Sequence, residues 1–168
     1  MKRSVFGINR SSIGLTLVEL VACIAILGIL SSVMLPLSRM TAQRTREIEL
    51  RRTLRVIRTA IDEYKKSYDQ AVQDKKLLPV QNKSGYPATL QVLVDGYDFG
   101  GLYGYKRKFL RRIPSDPMNP PTPAEPLRWG MRSYADRPTS STWGGEDVYD
   151  VYSLSNGVAI DGTIYKDW

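Results

Sequence analysis

Residues 14–37 read GLTLVELVACIAILGILSSVMLPL, and this stretch decides how the rest of the chain is interpreted. No charged residue occurs between Leu20 and Ser38. An α-helix needs roughly 20 predominantly apolar residues to cross the hydrocarbon core of a bilayer. The sequence therefore predicts a transmembrane helix over residues 15–38.

The segment before this run is basic. Lys2, Arg3 and Arg10 lie in the first fourteen residues, which contain no acid. The positive-inside rule places such a start in the cytoplasm. A cut after the small residue Gly14 would remove residues 1–14 as a leader and leave the apolar helix on the mature protein.

Glu19 is the one carboxylate within the apolar run. An ionisable group at the edge of the hydrocarbon is costly and usually has a partner or a function. Two interpretations are open. In the first, Glu19 simply lies in the headgroup region. In the second, cleavage after Gly14 creates an α-amino group on Leu15, and this group of a neighbouring subunit neutralises Glu19 during assembly.

Composition excludes several classes of function. The 168 residues carry a formal charge of +7, contain no histidine and have a single cysteine, Cys23. The absence of histidine excludes His-based acid–base catalysis and the usual zinc sites. Outside the leader, Lys and Arg alternate with Asp and Glu as on a solvated helix face, so we expect no nucleic-acid partner. No nucleophile–base pair or phosphate-binding loop indicates an enzyme.

After Pro36 the composition becomes highly charged, with one apolar stripe at spacings of three and four residues. The stripe consists of Leu50, Leu54, Ile57, Ile61, Tyr64 and Tyr68. The pattern predicts an amphipathic stem over residues 39–76 and a nearly continuous helix from about Leu15 to about Asp74. The stripe is expected to cover one face of the chain's own carboxy-terminal sheet, and a coiled coil is the alternative.

Residues 77–168 are predicted to form a globular domain with a small antiparallel sheet. The pattern favours a short helix or turn at Thr89–Val94 and turns at Asn156-Gly157 and Asp161-Gly162. Its strand candidates are residues 127–135, 148–154 and 163–168. The predicted fold class is α+β, with a long amino-terminal helix whose lower half is transmembrane and whose upper half carries the sheet.

The order Gly14-Leu15-Thr16-Leu17-Val18-Glu19-Leu20, between a basic leader and an apolar helix, resembles the class III signal of type IV pilins and type II secretion pseudopilins. The resemblance implies a pilin-like fold, cleavage after Gly14 by a prepilin peptidase and methylation of Leu15. The first mature residue is Leu here and usually Phe in the family. The resemblance also implies that Glu19 takes part in assembly and that Pro36 is the helix-bending proline that these proteins commonly carry.

The carboxy-terminal part resembles the major, G-type pseudopilin. Tyr86-Pro87-Ala88-Thr89 and Ile113-Pro114-Ser115-Asp116-Pro117 match that pattern in order, whereas Met118-Asn119-Pro120 departs from it. The resemblance implies a calcium site near the last strands, and calcium binds six to eight oxygens. The candidate ligands are Asp150, Ser153, Ser155 and Asp161. The alternative is that the Asn-Gly and Asp-Gly pairs are plain hairpin turns.

The resemblance implies a structural subunit of a helical filament rather than an enzyme, most specifically the major pseudopilin of a type II secretion system. It implies an inner-membrane protein that crosses the bilayer once, with a cytoplasmic amino terminus and a periplasmic domain, before it enters a periplasmic filament. Its partners would be further copies of the chain, minor pseudopilins, a prepilin peptidase and an assembly platform. A type IV or competence pilin and a membrane-anchored sensor or enzyme are the alternatives.

Overall fold

The structure is a computed structural model that describes residues 16–78, 84–120, 122 and 129–168, without the side chains of residues 33–39. The chain divides into two compact units, Met1–Met40 and Thr41–Trp168, and one long helix contributes to both. The elements in chain order are α1 (Leu17–Gln73), α2 (Leu90–Asp95), β1 (Trp129–Arg132), β2 (Asp150–Ser153) and a 3-10 helix (Tyr165–Asp167).

Helix α1 continues to Gln73 because neither glycine nor proline interrupts the sequence between Leu37 and Leu78. It ends where Lys75 adopts a positive φ of 57°. The amides of Lys76 and Leu77 then turn back and donate to the Ala71 carbonyl, at 2.8 and 3.1 Å. This is the type of carbonyl capping that commonly closes helices. The predicted end near Asp74 is confirmed.

The apolar stripe of α1 is the centre of the second unit. Leu50, Leu54, Ile57, Ile61 and Tyr64 are each no more than 5 % exposed, and the half-buried Tyr68 packs against the same core. Their partners come from the carboxy-terminal part of the chain: Leu90, Leu93, Phe99, Trp129, Val148, Val151 and Tyr165. The predicted packing on the chain's own sheet is confirmed for Trp129 and Val151, whereas the other partners lie outside the two strands. The stripe is therefore not left free for a coiled coil.

The sheet is smaller than the sequence predicts. β1 and β2 pair antiparallel, with Trp129 opposite Ser153 and Arg132 opposite Asp150. The third strand candidate, residues 163–168, is wrong. After one isolated bridge between Val158 and Ile164, the chain enters the 3-10 helix, with Tyr165 buried in the core. The short-helix prediction at Thr89–Val94 corresponds to α2.

The predicted fold class, a pilin-like α+β fold with a transmembrane lower half, is wrong. Among the described residues, no helix combines the length and the apolar character needed to cross a membrane. The apolar side chains described at the start of α1 extend from Leu17 to Leu30 and are followed by Ser31 and Ser32.

Ile57 and Ile48 provide a matched test of the stripe, because both lie on α1 and differ in burial, at 0 % and 63 % exposed. Ile57→Ala is expected to lower the free energy of unfolding by about 2–5 kcal/mol, since it leaves a cavity in the core. Ile48→Ala is expected to change it by less than about 0.5 kcal/mol. Urea unfolding followed by tryptophan fluorescence measures both, and equal effects would contradict the assigned core.

Candidate functional site

The first turn of α1 gives Glu19 a local role that the sequence interpretation did not consider. The backbone amide of Glu19 donates to Thr16 Oγ1 at 3.3 Å, so Thr16 caps the start of the helix. The order Thr-x-x-Glu is that of a capping box. A carboxylate in the first turn is also favoured by the helix dipole. Glu19 therefore suits the start of a helix, whatever partner its exposed side chain has.

Three residues predicted for processing and assembly are described only in part or not at all. Gly14 and Leu15 lie outside the described residues, so cleavage, methylation and the amine partner of Glu19 stay predictions. Pro36 falls within the bounds of α1, but its side chain is not described.

The apolar side chains at the start of α1 are exposed. Each is at least 50 % accessible within the described chain: Leu17, Val18, Leu20, Val21, Ile24, Ile26, Leu27, Ile29 and Leu30. At about 3.6 residues per turn these positions cover every face of the helix rather than one stripe. A helix that is apolar on all sides is normally buried. This segment is therefore expected to be buried against a partner, and we call it the candidate assembly surface.

The motifs that carried the second resemblance lie in the core of the other unit. Pro87 is fully buried, and its carbonyl accepts a 2.8 Å hydrogen bond from the Val148 amide. Asp116 is 3 % exposed and accepts hydrogen bonds from the Ser153 hydroxyl at 2.6 Å and the Met118 amide at 2.8 Å. Both motifs thus hold the chain around β2 in place.

Asp150, the first calcium candidate, is held by two arginines. Its carboxylate accepts from Arg58 Nε at 2.7 Å and from Arg132 Nη1 at 3.2 Å. Arg58 also donates to the carbonyls of Val151 and Trp168, both at 3.0 Å. Two guanidinium groups neutralise Asp150 and would repel a further cation.

The other three calcium candidates also have protein partners. Ser153 is fully buried against Asp116, and Ser155 Oγ accepts from the Gly157 amide at 3.3 Å. Asp161 accepts from Thr163 and from Arg51, and these contacts lower the pKa of its carboxyl. Within the described ranges no group of three or more acidic, His or Cys side chains could hold a metal ion. The calcium site stays a prediction that these contacts do not favour.

Glu47 is a site that the sequence interpretation missed. It is 8 % exposed, and its Oε1 accepts from Gln43 Nε2, the Ile160 amide and the Tyr165 hydroxyl at 2.9–3.1 Å. Gln43 also donates to the Val158 carbonyl and to Tyr165, both at 3.0 Å. These contacts fasten the carboxy-terminal segment to α1.

A signal for this site was present in the sequence. Glu47 stands three and seven residues before Leu50 and Leu54, so it continues the apolar stripe as a carboxylate. A charged residue on the buried face of a helix needs donors from elsewhere. The sequence did not show which segment would supply them.

No protein-family model matches this chain, and no curated protein and no solved structure is significantly similar to it. The resemblance described above therefore depends on the quoted residues alone.

The contact between Glu47 and Tyr165 predicts an alkaline sensitivity. Burial, together with the Glu47 carboxylate, raises the pKa of Tyr165 above its ordinary value of 10.0. The folded state therefore holds the Tyr165 hydroxyl proton more strongly than the unfolded chain does. The stabilisation that results is fully present below pH 10 and is lost as the pH rises above it. Tyr165→Phe is expected to flatten the decline in unfolding free energy that begins near pH 10.

Urea unfolding at each pH measures this decline. Tyr105→Phe is the matched control, because Tyr105 is 67 % exposed. An unchanged pH profile for Tyr165→Phe would contradict the assigned contact.

Proposed function

We propose that this protein is a structural subunit of an extracytoplasmic filament of the pilus and pseudopilus class, most specifically a major pseudopilin. In this proposal a prepilin peptidase cuts after Gly14 and methylates Leu15. The subunits then assemble through the apolar start of α1. Further copies of the chain, minor pseudopilins and an assembly platform are the proposed partners.

One observation carries the proposal: apolar side chains are exposed on every face of α1 between Leu17 and Leu30. Each square ångström of apolar surface left in water costs about 25 cal/mol, so this segment gains stability when it is covered. Packing among identical helices is one such cover. If the contact is head-to-tail and does not close into a ring, it repeats indefinitely and produces a filament.

The charge pattern supports the same proposal. Glu19 is the only charged residue between Leu17 and Ser32, and burying it among apolar helices requires a compensating cation. An α-amino group at Leu15 of the adjacent subunit would supply that cation.

The second unit suits the outer surface of such a filament. The ties between α1 and the chain around β2 and the carboxy terminus, through Glu47 and Arg58, hold the domain to the helix independently of the exposed segment. The domain can therefore keep its fold while the first part of α1 exchanges partners.

Glu19→Ala tests the assembly contact. It leaves the Thr16 cap intact, because that hydrogen bond uses the backbone amide of residue 19. Removing one partner of a buried charge pair costs about 3–5 kcal/mol, so filament yield is expected to fall more than roughly a hundredfold. Sedimentation and electron microscopy measure the yield.

Glu49→Ala is the matched control, since Glu49 is an exposed carboxylate on the same helix. It is expected to leave filament yield unchanged. Normal filaments from Glu19→Ala, or an equal loss from both variants, would contradict the role of Glu19.

Intact-mass spectrometry of the protein purified from its host tests the processing step separately. The expected product begins at Leu15 and carries one added methyl group. A product that begins at Met1 would overturn the proposed class, whatever the state of assembly.

A further inference from the structure

A cavity of about 390 Å³ lies in the second unit, where α1 meets the loop at residues 84–88. Four tyrosine side chains line it, Tyr64, Tyr68, Tyr86 and Tyr97, together with Glu146 and Asp147. Its size lies within the roughly 300–1,000 Å³ that is usual for small-molecule sites. None of these residues belongs to the assembly surface or to the predicted calcium site.

Within the described part of the chain, three tyrosine hydroxyls in this cavity have no hydrogen-bond partner. Tyr64 is 5 % exposed, and its hydroxyl, like those of Tyr68 and Tyr97, makes no hydrogen bond to any residue that the structure describes. The pKa of Tyr64 is raised above its ordinary value, mainly by burial and further by the nearby hydroxyls of Tyr97 and Tyr68. Buried polar groups are normally hydrogen-bonded, so the hydroxyl of the buried Tyr64 is suited to accept a donor from a ligand.

Asp147 also lines the cavity. It is 7 % exposed and accepts hydrogen bonds from the Ser84 hydroxyl and, at 2.9 Å, from the Tyr134 amide. No described cation forms an ion pair with it or with the exposed Glu146. Buried charges in proteins are normally paired. A positively charged group in the cavity would neutralise this carboxylate.

The rings favour an organic cation over a bare metal ion. Tyrosine faces attract ammonium and guanidinium groups within about 6 Å. Lys65 shows that this environment accepts one, since its ammonium lies 5.8 Å from the centre of the Tyr86 ring while it pairs with Asp69. Two carboxylates among aromatic rings are too few oxygen ligands for calcium or magnesium.

We propose that this cavity binds an organic cation, an ammonium or guanidinium group on a short aliphatic chain. The rings of Tyr64 and Tyr97 contact its apolar part, the free hydroxyls accept its N–H groups, and Asp147 balances its charge. The proposal does not depend on filament assembly, because every residue involved lies in the second unit.

Calorimetric titration of the full-length chain, in a non-ionic detergent, tests the binding. The probes are butylammonium chloride and butan-1-ol, which have similar shapes and differ in charge. Butylammonium is expected to bind with a Kd about tenfold lower than that of the alcohol. Equal affinity, or no binding of the cation, would overturn the proposal.

Two variants connect the binding to the cavity. Asp147→Asn removes the charge and keeps an acceptor for the Tyr134 amide, and it is expected to abolish the preference for the cation. Tyr64→Phe removes only an unbonded hydroxyl and is expected to weaken cation binding about fivefold without a loss of melting temperature. Tyr105→Phe, at a residue that does not line the cavity, is the control and should bind as the unchanged protein does.

If Asp147→Asn does not fold, Tyr64→Phe still decides the question, because wild-type affinity in that variant would count against the site. Binding of methyl glucoside in place of butylammonium would also overturn the charge argument.

A second titration tests whether the cation comes from a neighbouring chain or from a free small molecule. Lys106, Lys108, Arg111 and Arg112 are exposed on this chain, so a peptide of residues 105–112 represents a basic segment of a second copy. Tighter binding of this peptide than of butylammonium would support a neighbouring chain as the source. Weaker binding, with the preference for butylammonium retained, would support a free small molecule.

Discussion

The second unit depends on the burial of one face of α1. Leu50, Ile57 and Ile61 are fully buried, and the carboxy-terminal part of the chain has few regular elements that could form a core without them. A two-stranded sheet is marginal by itself in water. The helix supplies the continuous apolar surface against which α2, the two strands and the aromatic loops pack. The rest of the domain therefore packs around this helix and has no core without it.

Polar contacts then determine where the carboxy-terminal part of the chain is attached to α1. Glu47 holds the last loop and Tyr165, and Arg58 reaches β2 through Asp150 and the chain end through the Trp168 carbonyl. Each contact joins a charged group on α1 to donors or acceptors from a distant part of the sequence. The Glu47 contact is specific because a buried charge left without its partners is costly. The core supplies most of the stabilisation, and these contacts fix the path of the chain.

The apolar stripe could be predicted from spacing alone, because a helical period is a local property of the sequence. The transmembrane half and the third strand could not, and both predictions are wrong. Residues 163–168 have strand-forming composition, yet Tyr165 is directed into the core and to Glu47, and the chain bends into a 3-10 helix. The calcium candidates were chosen by residue type, which does not reveal that Asp150 already pairs with two arginines.

The sequence by itself determined the long helix, its buried stripe and the apolar start with its single carboxylate, because these features follow from the order of neighbouring residues. Only the tertiary structure decided that Glu47 fastens the carboxy-terminal segment and that Tyr64 and Asp147 share a cavity. Those groups lie far apart in the sequence, and their partners are set by how the chain folds back on α1. The demand for a hydrogen bond or a counter-charge is local, but only packing decides which residue meets it.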